Sequence, residues 1–173
     1  MHKTKFFKIL TFAVLGLSFT SHAQKNTSFQ PGEIWKDTDG VHINAHGGGV
    51  LYKDGTYYWF GEHKGTTNNA QVGVMCYSSK DLYNWKNEGA AFAVSKDPNS
   101  EVTAGCIIER PKVIYNAKTK KYVMWFHLEL KGQGYKASRT AVATADKAVG
   151  PYTFIRSYRP CLLYTSDAAD EGL

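Results

Sequence analysis

The sequence predicts an all-β fold built from the four-stranded units of a β-propeller, and two observations support this. Aromatic residues make up 14% of the 173 residues and eleven of them are Tyr, which favours strands over helices. A strand–turn–strand unit at about 48–62 occurs again at about 111–128, and no stretch after residue 23 has a convincing helical period. A strand-only repeat of this size is typical of propeller blades joined by long loops.

The repeat separates equivalent residues by roughly 63 to 69 positions, and the separation grows through small loop insertions. It pairs three sets of residues: Val50 with Val113, Trp59 with Trp125, and Trp85 with Phe154. A β-sandwich explains the strands nearly as well but does not explain a repeat of this size. Only about the first two blades are present, and two blades cannot close a ring, so an apolar sheet face should be exposed.

Local signals place the individual strands. Residues 53–56 form a predicted hairpin turn, in which Gly55 supplies the positive φ that such turns need. The segments 50–52 and 113–115 are apolar on both faces, as expected where blades pack sheet against sheet. Further strands are predicted at about 71–77, 121–128 and 139–144.

The two ends of the chain differ in character from the rest. Residues 1–23 combine a basic start, an apolar stretch at 9–19 and a small-x-small site at 21–23, which predicts a signal peptide. The apolar stretch is too short to span a bilayer, so we expect export to the periplasm or the extracellular space, with no membrane span in the mature form. Residues 161–173 resemble the translated end of a sequencing adapter and are expected to be non-native.

Residues 24–160 are therefore interpreted as the N-terminal part of a longer propeller domain. The net charge is +6, and lysines are scattered through turns such as 118–121, which indicates solvated loops and no nucleic-acid surface. Cys76 and Cys106 are expected to be buried free thiols, although an exported protein could also pair them. No CxxC pair is present, so the sequence predicts no metal site. We expect a monomer.

Two glutamates are the main candidates for a functional site. Glu109 precedes Arg110 and Pro111, and Pro111 is expected to hold Arg110 in an extended conformation at the end of an innermost strand. Glu62 ends an aromatic strand, a pattern found where sugar CH faces stack on rings while acids bind hydroxyls. The alternatives are a structural pair of Glu109 with Arg110, and a solvated strand-end charge at Glu62.

Three further positions are weaker candidates. His46 precedes a run of three glycines, which in lipases shapes an oxyanion hole, but no G-x-S-x-G nucleophile is present. We interpret His46 as a cavity-lining donor, with a satisfied loop histidine as the alternative. Trp59 is a candidate for sugar contact, although core packing is its default role. His127 and Glu129 lie on one strand face and could reach either the same centre or solvent.

Several motifs together resemble one known family. They are His46–Gly49, Tyr57–Glu62, Cys76–Ser79 with Asp81, Leu82, Asn84 and Trp85, Glu109–Val113, and Gly150–Thr153. In this combination the chain, from about 41 to 159, resembles glycoside hydrolase family 43, and within it the exo-β-1,3-galactanase (galactan 1,3-β-galactosidase) branch.

The resemblance implies a five-bladed β-propeller that hydrolyses glycosidic bonds with inversion, using one carboxylic acid and one base on opposite faces of the sugar. The implied substrate is a polysaccharide or oligosaccharide, namely β-1,3-galactan attacked from its non-reducing end. Glu62 and Glu109 match carboxylates of the family that bind the terminal sugar. The resemblance assigns no cofactor; calcium could lie at a propeller centre, but these residues carry no ligand signature for it.

The sequence also departs from the family. Family 43 enzymes commonly place a base aspartate at the opening of the first blade, where this chain has 43–46 without an aspartate. The general acid and the carboxylate that tunes it belong to later blades, so we expect this piece alone to be inactive. The alternatives are a non-catalytic carbohydrate-binding propeller, and a protein-interaction propeller, which leaves the central carboxylates unexplained.

Overall fold

The computed structural model describes residues 25–160, so the predicted signal peptide and the predicted non-native tail lie outside the described residues. The strands are β1 (His46–Lys53), β2 (Thr56–Glu62), β3 (Gly73–Ser79), β4 (Lys86–Ala93), β5 (Ile107–Asn116), β6 (Lys121–Glu129), β7 (Arg139–Ala145) and β8 (Thr153–Tyr158), with a 3-10 turn at Gly134–Lys136. They form two antiparallel sheets in the orders β1-β2-β3-β4 and β5-β6-β7-β8. The predicted all-β fold with two four-stranded units is confirmed. Within 25–160, no helix is long and apolar enough to cross a bilayer.

Each sheet begins with a hairpin of the same design. The turn after β1 has positive φ at Asp54 (50°) and Gly55 (73°), which confirms the predicted hairpin and its use of glycine. A cross-strand tyrosine pair follows, with ring centroids 4.6 Å apart in the first sheet, and 4.9 Å apart in the second. The second hairpin has four residues between its strands where the first has two. This difference shifts all later equivalences by two positions.

The strand register corrects one predicted pair of equivalent residues. Val50 lies opposite Trp59, whereas Val113 lies opposite Met124. Since Val50 and Val113 are equivalent, Trp59 corresponds to Met124, and the predicted match with Trp125 is wrong by one residue. One residue in a strand reverses the direction of the side chain, so the two tryptophans face opposite sides of their sheets.

The register also corrects the last predicted pair. Ala143 corresponds to Tyr77 of the first sheet, and their partners on the next strand are Phe154 and Asn87. Phe154 therefore corresponds to Asn87 and does not match Trp85. Two residues earlier, Tyr152 matches Trp85. Both are buried, and both donate a hydrogen bond to a nearby carbonyl at 3.0 Å, to the oxygens of Ala148 and Leu82 respectively.

The main core lies between the two sheets. Phe60 and Phe92 of the first sheet pack with Met124 and Phe126 of the second, and the rings of Phe92 and Phe126 are 5.1 Å apart. Cys76 and Cys106 belong to the same core and are both free and buried, as predicted. Burial raises the pKa of Cys76 to about 12 and that of Cys106 to about 11, so both stay protonated at neutral pH.

The outer faces of the two sheets differ. Segment 25–45 covers the middle of the outer face of the first sheet, where Trp35 and Ile43 pack around Trp59 and Tyr77, and leaves Val50 on the inner strand 55% exposed. On the second sheet Ile114 is 57% exposed and Trp125 is 36% exposed. The predicted exposed apolar face is therefore confirmed, and it lies on the side of the second sheet that points away from the first.

Candidate active site

The structure brings the two predicted glutamates to one place. Glu62 ends β2, and Glu109 lies in the first half of β5, on the innermost strand of the other sheet. The ammonium group of Lys64 lies between them, with Nζ 3.4 Å from Oε1 of Glu62 and 3.6 Å from Oε1 of Glu109. All three side chains are largely buried, so water screens this attraction less than at the surface.

The side chain of Asn44 fixes Lys64. Its Nδ2 donates to the carbonyl oxygen of Lys64, and the amide of Lys64 donates to Oδ1 of Asn44, both at 2.8 Å. Asn44 lies in the four-residue opening where the family's aspartate is missing. In this chain the position contributes a neutral amide that clamps the backbone of the central lysine.

A β-bulge at the start of β5 holds the carboxylate of Glu62. The register between β5 and β6 shifts from Glu109 to Lys112, and within the shift Arg110 has φ 55°. The amide of Arg110 donates to Oε2 of Glu62 at 2.9 Å. The prediction that Pro111 keeps Arg110 extended is therefore wrong: the bulge requires a left-handed residue, and this geometry turns the amide toward the neighbouring sheet.

The three glycines after His46 allow the inner strands of the two sheets to approach closely. A Cβ on Gly47 would lie 3.0 and 3.1 Å from the two oxygens of Glu62, and one on Gly49 would lie 2.7 Å from Cδ of Lys112. Lys112 Nζ donates to the carbonyl oxygens of Gly47 at 3.2 Å and Gly48 at 2.6 Å. The glycines thus let the two sheets come into contact and leave room for the carboxylate of Glu62.

Tyr135, which no sequence motif indicates, completes the site. Its hydroxyl donates to Oε1 of Glu109 at 2.6 Å and accepts from Nδ2 of Asn68 at 3.4 Å. Burial, followed by the hydrogen bond to Glu109, raises the pKa of Tyr135 to about 12, so the hydroxyl remains a donor at neutral pH. The Tyr135 residue as a whole is still 54% exposed, which leaves aromatic surface available to a ligand.

The other predicted residues have different surroundings. His46 is exposed and lies opposite Glu62 in the β1–β2 register. Arg110 contributes its backbone amide to Glu62. Trp59 packs into an aromatic cluster, with its ring 5.4 Å from Trp85 and 5.9 Å from Trp35, and this placement fits the core-packing role.

The arrangement suits the recognition of hydroxyl groups. Two carboxylates, one ammonium and one phenol offer both acceptors and donors beside an exposed ring, the combination that sugars require. Among residues 25–160, no group of three or more His, Cys, Asp or Glu side chains is placed to hold a metal ion.

Comparison with known proteins identifies solved structures of the same kind. A family 43 β-1,3-galactosidase, solved with galactodeoxynojirimycin, is 61% identical, with a TM-score of 0.71 over 73% of this chain and 37% of that chain. A second family 43 β-1,3-galactosidase is 51% identical, with a TM-score of 0.72 over 78% of this chain and 29% of that one. An exo-β-1,3-galactanase from Phanerochaete chrysosporium, solved with galactose, is 41% identical, with a TM-score of 0.69 over 75% and 29% of the two chains.

The chain belongs to glycoside hydrolase family 43. The resemblance found in the sequence motifs is confirmed, and the similar structures are glycosidases that act on β-1,3-galactosides by their descriptions. No family model and no curated protein matches the chain. Family 43 proteins are β-propellers, so we interpret the two sheets as blades and not as a sandwich. The chain spans about a third of the length of these family 43 structures.

Proposed function

We propose that the chain is part of a glycosidase that releases galactose from the non-reducing end of β-1,3-galactan. The observation that carries this proposal is the convergence of Glu62 and Glu109 on Lys64, beside the exposed ring of Tyr135. Similarity to β-1,3-galactosidases solved with galactose or a galactose-like inhibitor supports the choice of sugar.

Within this proposal Glu62 and Glu109 bind the terminal galactose. Each carboxylate already accepts a hydrogen bond from the protein, Glu62 from the Arg110 amide and Glu109 from Tyr135. Their remaining lone pairs are free to accept from sugar hydroxyls, which donate readily. The face of Tyr135 provides a surface for the CH groups of the ring.

The catalytic proton transfer is assigned to another part of the protein. Inverting hydrolysis needs an acid to protonate the leaving oxygen and a base to activate water on the opposite face. We propose that the general acid belongs to later blades of a five-bladed propeller, which acts as a monomer and needs no cofactor. The loss of a general acid costs about 100- to 10,000-fold in rate, so the chain alone should release no measurable galactose.

We also propose that the protein is exported. The support is the composition of residues 1–23, and cleavage there would start the mature protein near Gln24. N-terminal sequencing of the protein recovered from outside the cytoplasm tests this. An intact N-terminus starting at Met1 would contradict it.

The proposed binding role is tested with the chain itself by NMR titration with β-1,3-galactobiose. Galactobiose should perturb resonances of Tyr135 and Lys64, and the variants Glu62→Gln and Glu109→Gln should each weaken binding by about tenfold, the effect of losing a charged hydrogen bond. Glu101→Gln is the matched control, because Glu101 bonds Arg139 and Ser157 away from this site. Its affinity should not change.

Three outcomes would overturn parts of the assignment. Binding of xylobiose or arabinobiose in preference to galactobiose would contradict the proposed sugar. Measurable galactose release by the chain would contradict the placement of the acid in later blades. A full protein that binds galactobiose but never hydrolyses it would support the carbohydrate-binding propeller instead.

A further inference from the structure

Glu129 is a fully buried glutamate, and it is not one of the residues proposed to contact the sugar. It ends β6 in the second sheet and is 0% exposed. Its Oε2 accepts from the amides of Ala137 at 2.7 Å and Ser138 at 3.0 Å, and its Oε1 accepts from Ser138 at 3.1 Å. Nε2 of His127 lies 2.9 Å from Oε1. Burying a carboxylate is costly unless hydrogen-bond donors surround it. These contacts offset that cost, and they link Glu129 to specific parts of the chain.

The two amide donors belong to the connection between β6 and β7. The connection, residues 130–138, contains the 3-10 turn Gly134–Lys136 and three left-handed residues, with φ 76° at Gly132, 57° at Gly134 and 46° at Ser138. Gln133 donates to the carbonyl of Leu130 at 3.1 Å, a bond internal to the connection that does not tie it to the sheet. Glu129 supplies bonds that do, because it belongs to β6.

The carboxylate of Glu129 also contacts His127, whose ring stacks on Tyr135 in the connection. The ring of His127 lies 6.2 Å from that of Tyr135 at an interplanar angle of 18°, a stacked pair. Glu129 therefore contacts both the returning end of the connection and the imidazole on which Tyr135 stacks. Tyr135 in turn donates to Glu109 at 2.6 Å.

We propose that Glu129 is a positioning residue for the sugar site. Through Ala137, Ser138 and His127 it holds Tyr135 in the one orientation that meets Glu109 and leaves ring surface open to the ligand. The effect on sugar binding rests on the proposed function above, whereas the effect on Tyr135 itself does not. Glu129 does not touch the sugar.

The test compares Glu129→Gln with Glu101→Gln, which removes a carboxylate charge from another network contacting the second sheet. Three readouts separate positioning from general stability: the pH titration of the Tyr135 ring by NMR, assigned with Tyr135→Phe, amide exchange at Ala137 and Ser138, and affinity for β-1,3-galactobiose. In Glu129→Gln the pKa of Tyr135 should fall toward its ordinary value of 10.0. Because the Glu129 charge itself helps to raise this pKa, a fall indicates positioning only when amide exchange at Ala137 and Ser138 also changes. Exchange should accelerate and affinity should drop, each about tenfold. Glu101→Gln should change none of the three.

The outcomes distinguish the two proposals. If Glu129→Gln leaves the Tyr135 titration and the two amides unchanged, the positioning role is wrong. If the chain binds no galactoside but the titration and the two amides still respond, the proposed function fails and the positioning role stands. Should Glu129→Gln not fold, Glu129→Asp replaces it: the charge is kept, but the side chain is one methylene shorter and no longer reaches the amides of Ala137 and Ser138. The same fall in the Tyr135 pKa is expected, and its absence would overturn the proposal.

Discussion

In the first sheet the inner strand begins with His46, which lies opposite Glu62 on the next strand; in the second sheet the inner strand carries Glu109, which lies opposite His127. The two pairs occupy equivalent positions, but the carboxylate and the imidazole have exchanged strands. The exchange places one glutamate on each side of Lys64. Two copies of one backbone plan thus produce an asymmetric site suited to an asymmetric ligand.

The backbone around these pairs is the same in both sheets. Gly47 and Arg110 are equivalent, and each has φ 55° within a bulge. In the first sheet the left-handed position is a glycine, whose missing Cβ makes room for Glu62. In the second it is an arginine, whose amide bonds Glu62. Both sheets have the same backbone geometry at this position, and the different residue in each sheet gives the position a different role.

The two sheets also differ in what covers them. Phe60 and Trp125 are equivalent; Phe60 is fully buried under the second sheet, whereas Trp125 faces outward on the uncovered side. Gly61 and Phe126 are equivalent as well. Phe126 packs against Phe92, while Gly61 leaves space that the backbone of Ala45 fills. The segment before β1 therefore packs on one face of the first sheet at the place where, in the second sheet, a neighbouring sheet packs.

Truncation of the two equivalent aromatic residues, Phe60 and Trp125, should give the largest difference between the two sheets. Phe60→Ala should lower the free energy of unfolding by about 3–5 kcal/mol, because it opens a cavity between the sheets. Trp125→Ala should cost less, about 1–2 kcal/mol, since no sheet packs on the ring although it is only 36% exposed. Urea unfolding followed by tryptophan fluorescence and circular dichroism measures both. Equal losses would mean that the two faces are covered alike.

A second comparison concerns the segment before β1. In Gly61→Ala the new Cβ would lie 2.1 Å from the backbone carbonyl carbon of Ala45, and a backbone atom cannot rotate away. We expect a loss of about 1–3 kcal/mol in the free energy of unfolding. Gly65→Ala is the matched control, because a Cβ there meets nothing within 4 Å. If both variants unfold at the same urea concentration, segment 25–45 does not pack on the first sheet as described.

The two bulges can be compared by exchanging their residue types. Gly47→Ala places a side chain at φ 55° beside the Glu62 carboxylate and should cost about 1–2 kcal/mol of stability. Arg110→Gly should stay within about 1 kcal/mol of the parent, because relief of left-handed strain offsets the added freedom of the unfolded chain. Thermal unfolding measures both changes. A large loss in Arg110→Gly would show that its guanidinium contributes more than its amide.

The smallest expected effect is a pH dependence at Tyr135. Its pKa is raised to about 12 in the folded protein from an ordinary 10.0, so the stabilisation is fully present below about pH 10 and is lost as the pH rises through about 12. Tyr135→Phe should therefore lose less stability than the parent over this window. The difference should be small because the residue is half exposed. Urea unfolding at several alkaline pH values measures it, and identical slopes would contradict the hydrogen bond to Glu109.

Much of the fold could be predicted from local sequence signals, because alternation and the turn at 53–56 are local properties. The register could not, since matching Trp59 to Trp125 by residue type overlooks the two extra residues in the second hairpin. Glu62 and Glu109 were found because they end or begin apolar strands. Lys64 and Tyr135 lie in loops, where no periodic pattern indicates which side chain points inward. The conformation of Arg110 could not be predicted, because the extended preference of a pre-proline residue yields to the bulge.

The central claim is that the two sheets present Glu62 and Glu109 to one sugar ring, and a double-mutant cycle on β-1,3-galactobiose affinity tests it most directly. Affinities of the parent, Glu62→Gln, Glu109→Gln and the double variant are measured by calorimetric titration. If both residues and Lys64 act on one ligand, the two effects should be coupled by about 1 kcal/mol or more. Effects that add to within about 0.3–0.5 kcal/mol would show that the carboxylates act at separate places and would contradict the shared site.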